Sequence, residues 1–259
     1  MPDIRRPLKK FLPHLLKAKE ENLNEADTVQ RVVLFLHEVL GYNPMGEITR
    51  ESQIKEKYVD IAIKIDGGIR WLIEAKAASV QLRSRHLDQA ELYAAEGNHP
   101  WVVLTNGVAW HLYHLTFDEG IEYQQVFEVD LATTEPERAA ELLGLLHRTA
   151  ILKGEHEDYL RHRQALDPES LAKALFTYES LSLVRRHLRR REGVLLDIED
   201  VADAIKRLFS TDAREKIGTI RIVRRRKKRR TDPATPSTDS TTGGTPATPA
   251  ASPPTPTTL

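Results

Sequence analysis

The chain has 259 residues, with 38 basic and 38 acidic side chains, no cysteine and a hydrophobic fraction of 40%. Without cysteine there is no disulfide framework, thiolate metal site or cysteine nucleophile, and no apolar run approaches the roughly 18 residues of a membrane span. Formal neutrality hides an asymmetry, because RIVRRRKKRR at 221–230 carries eight Lys or Arg and leaves the rest net acidic. Nucleic-acid binding depends on local rather than summed charge, so neutrality does not argue against it.

The N-terminal stretch MPDIRRPLKKFLPHLLKAKEEN is basic but lacks an apolar run ending in a small-residue cleavage site. No secretory signal is expected, and a reducing cytoplasm fits the absence of cysteine. A helix is predicted over Pro7–Lys19. A second runs from an Asn24 cap to Leu40, with Asp27 at its third position and Gly41 as its stop. Strand patterns follow at 46–52, 58–65 and 70–77, then a helix at about 79–96. Trp101–Thr105, an Asn106-Gly107 turn and strands at 108–115 and 121–129 complete the pattern, Asn-Gly between β-rich runs being a hairpin signal. The order predicts a mixed sheet with helices packed against it, an α/β (α+β) fold. Further helices are expected at about 135–164, 168–191 and 198–209, with Asp167-Pro168 starting the middle one. Residues 231–259 hold seven of the 14 prolines among Thr, Ser and Ala, a composition that cannot offset its ordering entropy and reads as disordered.

The chemistry concentrates in one predicted hairpin, YVDIAIKI (58–65) and RWLIEAKA (70–77), joined through Asp66-Gly67-Gly68. A three-residue loop pairs Ile65 with Ile69, Ile63 with Trp71 and Ile61 with Ile73, making one face wholly apolar and fixing the register. Asp60 then stands opposite Glu74 on the other face, with Lys76 two residues on. Cross-strand partners have Cβ atoms about 4.5–5.5 Å apart, close enough for two carboxylates to share a divalent cation. Paired carboxylates suit Mg²⁺, a hard cation that prefers oxygen ligands. A bound cation activates water and stabilises phosphoryl charge, and a lysine on the same face supports developing negative charge. Polar faces of amphipathic hairpins are usually only solvated charge. Here Ala62 and Leu72 lie among the charges, and charge in a partly buried strand calls for a reason.

Asp60, then Glu74-Ala75-Lys76, then Gln89-x-x-x-Tyr93 in a following helix resembles the PD-(D/E)XK nuclease superfamily. More narrowly it resembles the N-terminal nuclease domain of type I restriction enzyme R subunits. NEADTVQRVVLFLHEVLGYNP, EITRESQIKEKYVDIAI, the IEAK strand and VVLTNGVAWHLYHL carry the likeness over roughly 20–132. The resemblance implies a restriction-endonuclease-like domain at 1–132; pattern and composition place after it a helical region at 133–220, the basic cluster at 221–230 and the tail at 231–259. It implies Mg²⁺ (or Mn²⁺) held by Asp60, Glu74, the Ala75 carbonyl and Glu25, with Lys76 as catalytic lysine. Gln89 and Tyr93 would help position the site and the DNA backbone. Each has a plainer reading, since Glu25 also suits the positive end of its helix, and Gln89 and Tyr93, one turn apart, also suit packing. Val59 stands where the motif's name places proline. No G-x-x-x-x-G-K-[ST] phosphate loop occurs, so an ATP-driven motor is excluded from this chain.

His111 and His114 point to opposite faces of their strand, which disfavours joint metal ligation, and Trp71, Trp101 and Trp110 read as core or sheet-face residues. Arg224, Arg225, Arg226, Lys227, Lys228, Arg229 and Arg230 are candidate phosphate contacts, although a charge block beside a disordered tail can be merely solvated. RRHLRRR at 185–191 either extends a DNA-binding surface or mediates oligomerisation. The expected function is a metal-dependent endodeoxyribonuclease related to restriction enzymes. Its rivals are an inactive nuclease fold acting as a nucleic-acid-binding or regulatory module, and an interaction scaffold. DNA is the expected partner, with no membrane association, and with a homo-oligomer or a partner protein on the helical region as further expectations.

Overall fold

The computed structural model describes residues 2–54, 57–118 and 120–209, apart from the side chains at 53, 54, 57, 58, 89 and 93. The basic run at 224–230 and the tail at 231–259 lie outside the described residues, as do the side chains of Gln89 and Tyr93. The described chain forms two compact units, the first containing Met1–Leu175 and the second Phe176–Arg207.

In the first unit the helices α1 (Arg5–Glu20) and α2 (Glu25–Glu38) precede the strands β1 (Ile48–Ile54), β2 (Lys57–Ile65) and β3 (Gly68–Ala75). A 3-10 turn (Ser84–His86) and α3 (Asp88–Gly97) lead to β4 (Trp101–Thr105), β5 (Ala109–Thr116) and β6 (Glu122–Asp130). The helices α4 (Pro136–Gly144), α5 (Arg148–Leu152), α6 (Glu155–Ala165) and α7 (Pro168–Leu175) follow. The six strands form one sheet in sequence order, with β3 and β4 parallel and every other pair antiparallel. A parallel pair needs a crossover, and α3 supplies it.

One face of the sheet carries Ile61, Ile63, Ile65, Trp71, Ile73 and Val103 into a large core with apolar residues of α1, α2, α4, α5 and α6. The opposite face carries Ala62, Leu72, Val102 and Leu104 against Leu87, Ala90 and Ala94 around α3. A sheet covered on both faces explains why β3 ends in five consecutive buried residues, Trp71–Ala75. All three tryptophans are core residues. Trp71 donates its indole N–H to the Tyr42 hydroxyl at 3.1 Å, and that hydroxyl donates to the Leu146 carbonyl at 2.6 Å. His114 packs edge-on to Trp101, whereas His111 meets Tyr113 and Glu128, so the two rings serve different surroundings.

The hairpin differs from expectation at its tip. Asp66 and Gly67 both have positive φ (53° and 78°), the pattern of a two-residue type I′ turn, and Ile65 pairs with Gly68 rather than Ile69. The pairing shifts between Ile63 and Lys64, so Ile63 faces Trp71 while Lys64 faces Ile69. Arg70 is therefore an extra residue in β3, a bulge that restores the register of Ile61 with Ile73. Its effect on the predicted pattern is local, since Ile69 joins the α3-side cluster instead of the Ile65 face.

Helix boundaries also move. The predicted helix at 79–96 becomes α3 only from Asp88, because residues 76–80 run as an irregular tether. The expected 135–164 helix is three pieces, with His147 capping α5 and Gly154 in the left-handed region before α6. The 168–191 helix breaks before Thr177, whose side chain caps α8 (Tyr178–Glu192) by accepting from Ser180 N–H. In the second unit α8 packs on α9 (Ile198–Lys206), with Leu181, Ile198 and Val201 buried.

Candidate nuclease-type site

Glu74 lies near the carboxyl end of β3, and Asp60 stands close to it on the adjacent strand β2. The paired ladder of β2 with β3 reaches Ile61 and Ile73, and beyond it Asp60 uses its own side chain. Its carboxylate accepts the Ala75 backbone N–H at 2.8 Å. Glu74 and Ala75 meanwhile pair with Leu104 and Thr105 of the parallel strand β4. The site thus lies where a parallel pair ends, the position at which open α/β sheets characteristically present ligand-binding groups.

The segment after β3 is tied at three points. Lys76 N–H donates to the Thr105 carbonyl at 2.8 Å, Ala78 N–H to the Leu23 carbonyl at 3.1 Å, and the Asn106 amide to the Val80 carbonyl at 2.9 Å. These bonds hold the Lys76 backbone against the β4–β5 turn and against the approach to α2. Asn106 is able to do this because its carbonyl oxygen also accepts from Val108 and Ala109 N–H, which fixes its side chain. Neither Thr105 nor Leu23 is identifiable from sequence, since both act through backbone carbonyls. Asn106 is visible there only as a turn residue.

Glu25 is the first residue of α2, directly after the Asn24 cap, whose side chain accepts Asp27 N–H at 2.9 Å. Its carboxylate reaches to 3.8 Å from Lys76 Nζ, while Glu74 is bonded to the same nitrogen at 2.6 Å. Lys76 therefore bridges two acids from separate elements. No three His, Asp or Glu side chains among the described residues converge tightly enough, as they stand, to hold a cation.

Glu74 is only 3% exposed. Burial pushes its carboxyl up to about 7, with the Asp60 charge adding to the rise and the Lys76 hydrogen bond opposing it. Burial also works against the Lys76 ammonium, but its contact with Glu74, then Glu25 and Asp60, holds its pKa above the ordinary lysine value. A buried acid poised near neutrality beside a firmly charged lysine is a perturbation of the kind that clusters at functional sites. Asp60, Glu74, Lys76 and Glu25 are thus brought together in space, and Ala75 joins them through its N–H. Gln89 and Tyr93 belong to α3 by backbone.

No curated protein and no solved structure matches the chain. Residues 24–129 match the family model described as the type I restriction enzyme R protein N terminus. The match opens at the cap of α2 and closes within β6, so it contains nearly the whole sheet, Lys76 and the three acids around it. Over these residues the sheet-bearing part of the chain is similar to the type I restriction enzyme R protein N terminus.

Proposed function

We propose that the chain is a divalent-metal-dependent nuclease of the PD-(D/E)XK kind, hydrolysing phosphodiester bonds of DNA at Asp60, Glu74 and Lys76. The observation that carries this reading is Glu74, a buried carboxyl crowded by Asp60 and Glu25 and opposed by a single lysine. Crowded acids in a low-dielectric position are stabilised by added positive charge. An all-oxygen donor set of Asp60, Glu74, Glu25 and the Ala75 carbonyl has the hardness that Mg²⁺ or Mn²⁺ prefers. Such a cation, bound there, supplies a nucleophile at neutral pH and charge stabilisation on the phosphoryl oxygens.

The protein's own groups divide the remaining work. Asp60 is oriented by the Ala75 N–H, and Glu74 holds or releases one proton near neutral pH. Lys76, charged across that range, is available to a phosphate oxygen once a competing cation loosens its bond to Glu74. The tethers on Lys76, Ala78 and Val80 order the ammonium in advance, so the reaction itself carries no further entropy loss for positioning it.

A second reading has an observation of its own. Lys76 Nζ is already engaged by Glu74 at 2.6 Å and Glu25 at 3.8 Å, so the lysine has partners without a metal, which suits a nucleic-acid-binding relative without turnover. Cleavage of plasmid and linear DNA by the purified chain, with Mg²⁺ or with chelator, separates the two. Metal-dependent cleavage lost in both Asp60→Asn and Lys76→Ala supports the nuclease. Unchanged cleavage in both variants overturns the site, and metal-independent binding without cleavage establishes the second reading.

A further inference from the structure

The second unit contains a feature that the nuclease site leaves unused. We propose that a cleft on α8 is a phosphate-backbone contact for nucleic acid, gripping it with Arg185, Arg186 and Arg189. The proposal rests on the DNA-directed reading above for its choice of polyanion, but on none of that site's residues.

Helical spacing stacks Arg185 and Arg189 one turn apart on one side of α8, and Arg186 borders the same cleft beside them. Leu181, one turn before Arg185, is buried; Arg185 above it is half-buried, and Arg186 and Arg189 are exposed. The arginines line a cleft of ≈ 330 Å³ with Tyr178, Ser182 and Leu195. Ser182 Oγ is buried and has no hydrogen-bond partner. Helix-interior serines ordinarily bond back to a carbonyl one turn earlier, so this hydroxyl is an unsatisfied polar group at the edge of a cationic cleft. Tyr178 adds an aromatic ring and a hydroxyl.

The ion pairing of the arginines is the second observation. Several arginines elsewhere in the described chain are committed to carboxylates: Arg5 to Asp3, Arg138 to Glu141, Arg148 to Glu47, Arg161 to Asp158 and Arg191 to Glu192. Among the described residues, none of Arg185, Arg186 and Arg189 forms an ion pair, although α9 carries Glu199, Asp200 and Asp203 close by in sequence. Cations near a helix C-terminus favour its dipole, which gives Arg189 a structural role. That role does not extend to Arg185 and Arg186 at mid-helix, nor to the unpaired serine. Planar guanidiniums take phosphate oxygens in a two-pronged fashion, and a phosphate seated among them would also satisfy the Ser182 hydroxyl.

The test uses the full chain and a short fluorescein-labelled duplex, with Kd measured by anisotropy in chelator across a range of NaCl concentrations. Replacing Arg185, Arg186 and Arg189 together by Gln should weaken binding on the order of tenfold at low salt. It should also flatten the slope of log Kd against log salt by about 0.9 for each phosphate no longer neutralised. The loss should be the same for unrelated duplex sequences, since phosphate contacts carry no base information. Ser182→Ala should give a smaller loss, and Arg161→Gln, which removes an exposed arginine already paired, should give none. Arg186 and Arg189 are exposed and Arg185 is half-buried, so a thermal melt matching the parent is required to certify the fold of the triple variant. A triple variant with parental Kd and salt slope overturns the proposal while leaving the nuclease reading intact. A parent that binds no duplex at all overturns both. Parental duplex affinity combined with lost binding to phosphatidylserine vesicles would assign the cleft to membrane surfaces instead, and would equally overturn it.

Discussion

Two carboxylates of the first unit, Glu47 and Glu74, sit largely out of water against a cation, yet their surroundings are opposites. Glu47 accepts Arg148 Nε on both oxygens, at 2.7 and 2.9 Å, and the Asn43 N–H at 2.9 Å. Its neighbours are donors. Glu74 has one bonded donor, Lys76, and its nearest charged neighbours besides that are Asp60 and Glu25. The first arrangement ties the entry to β1 to the start of α5 and uses its charge for structure. The second keeps acids closer together than folding alone would favour, and a buried ion pair is in any case weak evidence of stabilisation. An acid held among acids needs something further, and on the proposed reading a divalent cation with a phosphate supplies it.

The sharpest way to break this contrast is at the second pair. Lys76→Ala should lower metal-dependent cleavage by roughly 10²–10³-fold, the usual cost of removing one charged transition-state donor, read as initial nicking rate on supercoiled plasmid. Arg148→Ala should behave differently. It leaves Glu47 with one donor, so we expect a loss of roughly 2–3 kcal/mol in urea unfolding, with cleavage per folded molecule unchanged. If Arg148→Ala abolished cleavage without destabilising the fold, the division between a structural and a functional carboxylate would fail.

Titration sharpens it further. The Glu74 carboxyl is pushed up to about 7 from its ordinary 4.5, so between those values the folded chain holds a proton that the unfolded chain has released. Its stabilising share is fully present below about pH 4.5 and is lost as pH rises through about 7. Glu74→Gln cannot release that proton. It should melt with the parent near pH 5 and gain on the order of 1–3 kcal/mol over it near pH 8, or roughly 2–4 °C for each kcal/mol. The metal concentration needed for half-maximal cleavage should fall as pH rises toward about 7, because proton and cation compete for Glu74, and a pH-independent requirement would remove Glu74 from the metal site. The smallest effect is expected at Asn24→Ala, which deletes the cap that seats Glu25. A loss of about 1 kcal/mol in stability is expected, with a modest rise in the metal concentration needed for half-maximal cleavage.

Much of the site is legible in the sequence because strand alternation and burial are local. The pairs Ile61 with Ile73 and Ile63 with Trp71 follow from placing apolar residues on one face, and they bring Asp60 and Glu74 close together. The Asn24 cap is readable for the same reason, since its partner is three residues away. What escapes the sequence is long-range or compensatory. Arg148 meets Glu47 across 101 positions, and the carbonyls of Leu23 and Thr105 that hold the lysine segment have no side-chain signature. The turn is one residue shorter than strand alternation implies because two features cancel, a shorter loop and a bulge at Arg70. The helices after 135 are shorter than their periodicity implies, because His147 and Thr177 look like ordinary helical residues until their capping bonds are seen.

That cancellation also separates the hairpin into two mechanically independent halves. The site half keeps its own register through Ile61–Ile73 and Ile63–Trp71, and the tip beyond Arg70 counts residues differently. A chain lacking Arg70 can close the same two-residue turn with an unbroken ladder, and Ile69 and Trp71 stay on the faces they already occupy. The same deletion made at Leu72 or Ile73 would turn the acid into the wrong layer. The tip is therefore the place where this hairpin tolerates insertions, labels or tags, because a change of length there ends at the bulge instead of travelling to the lysine.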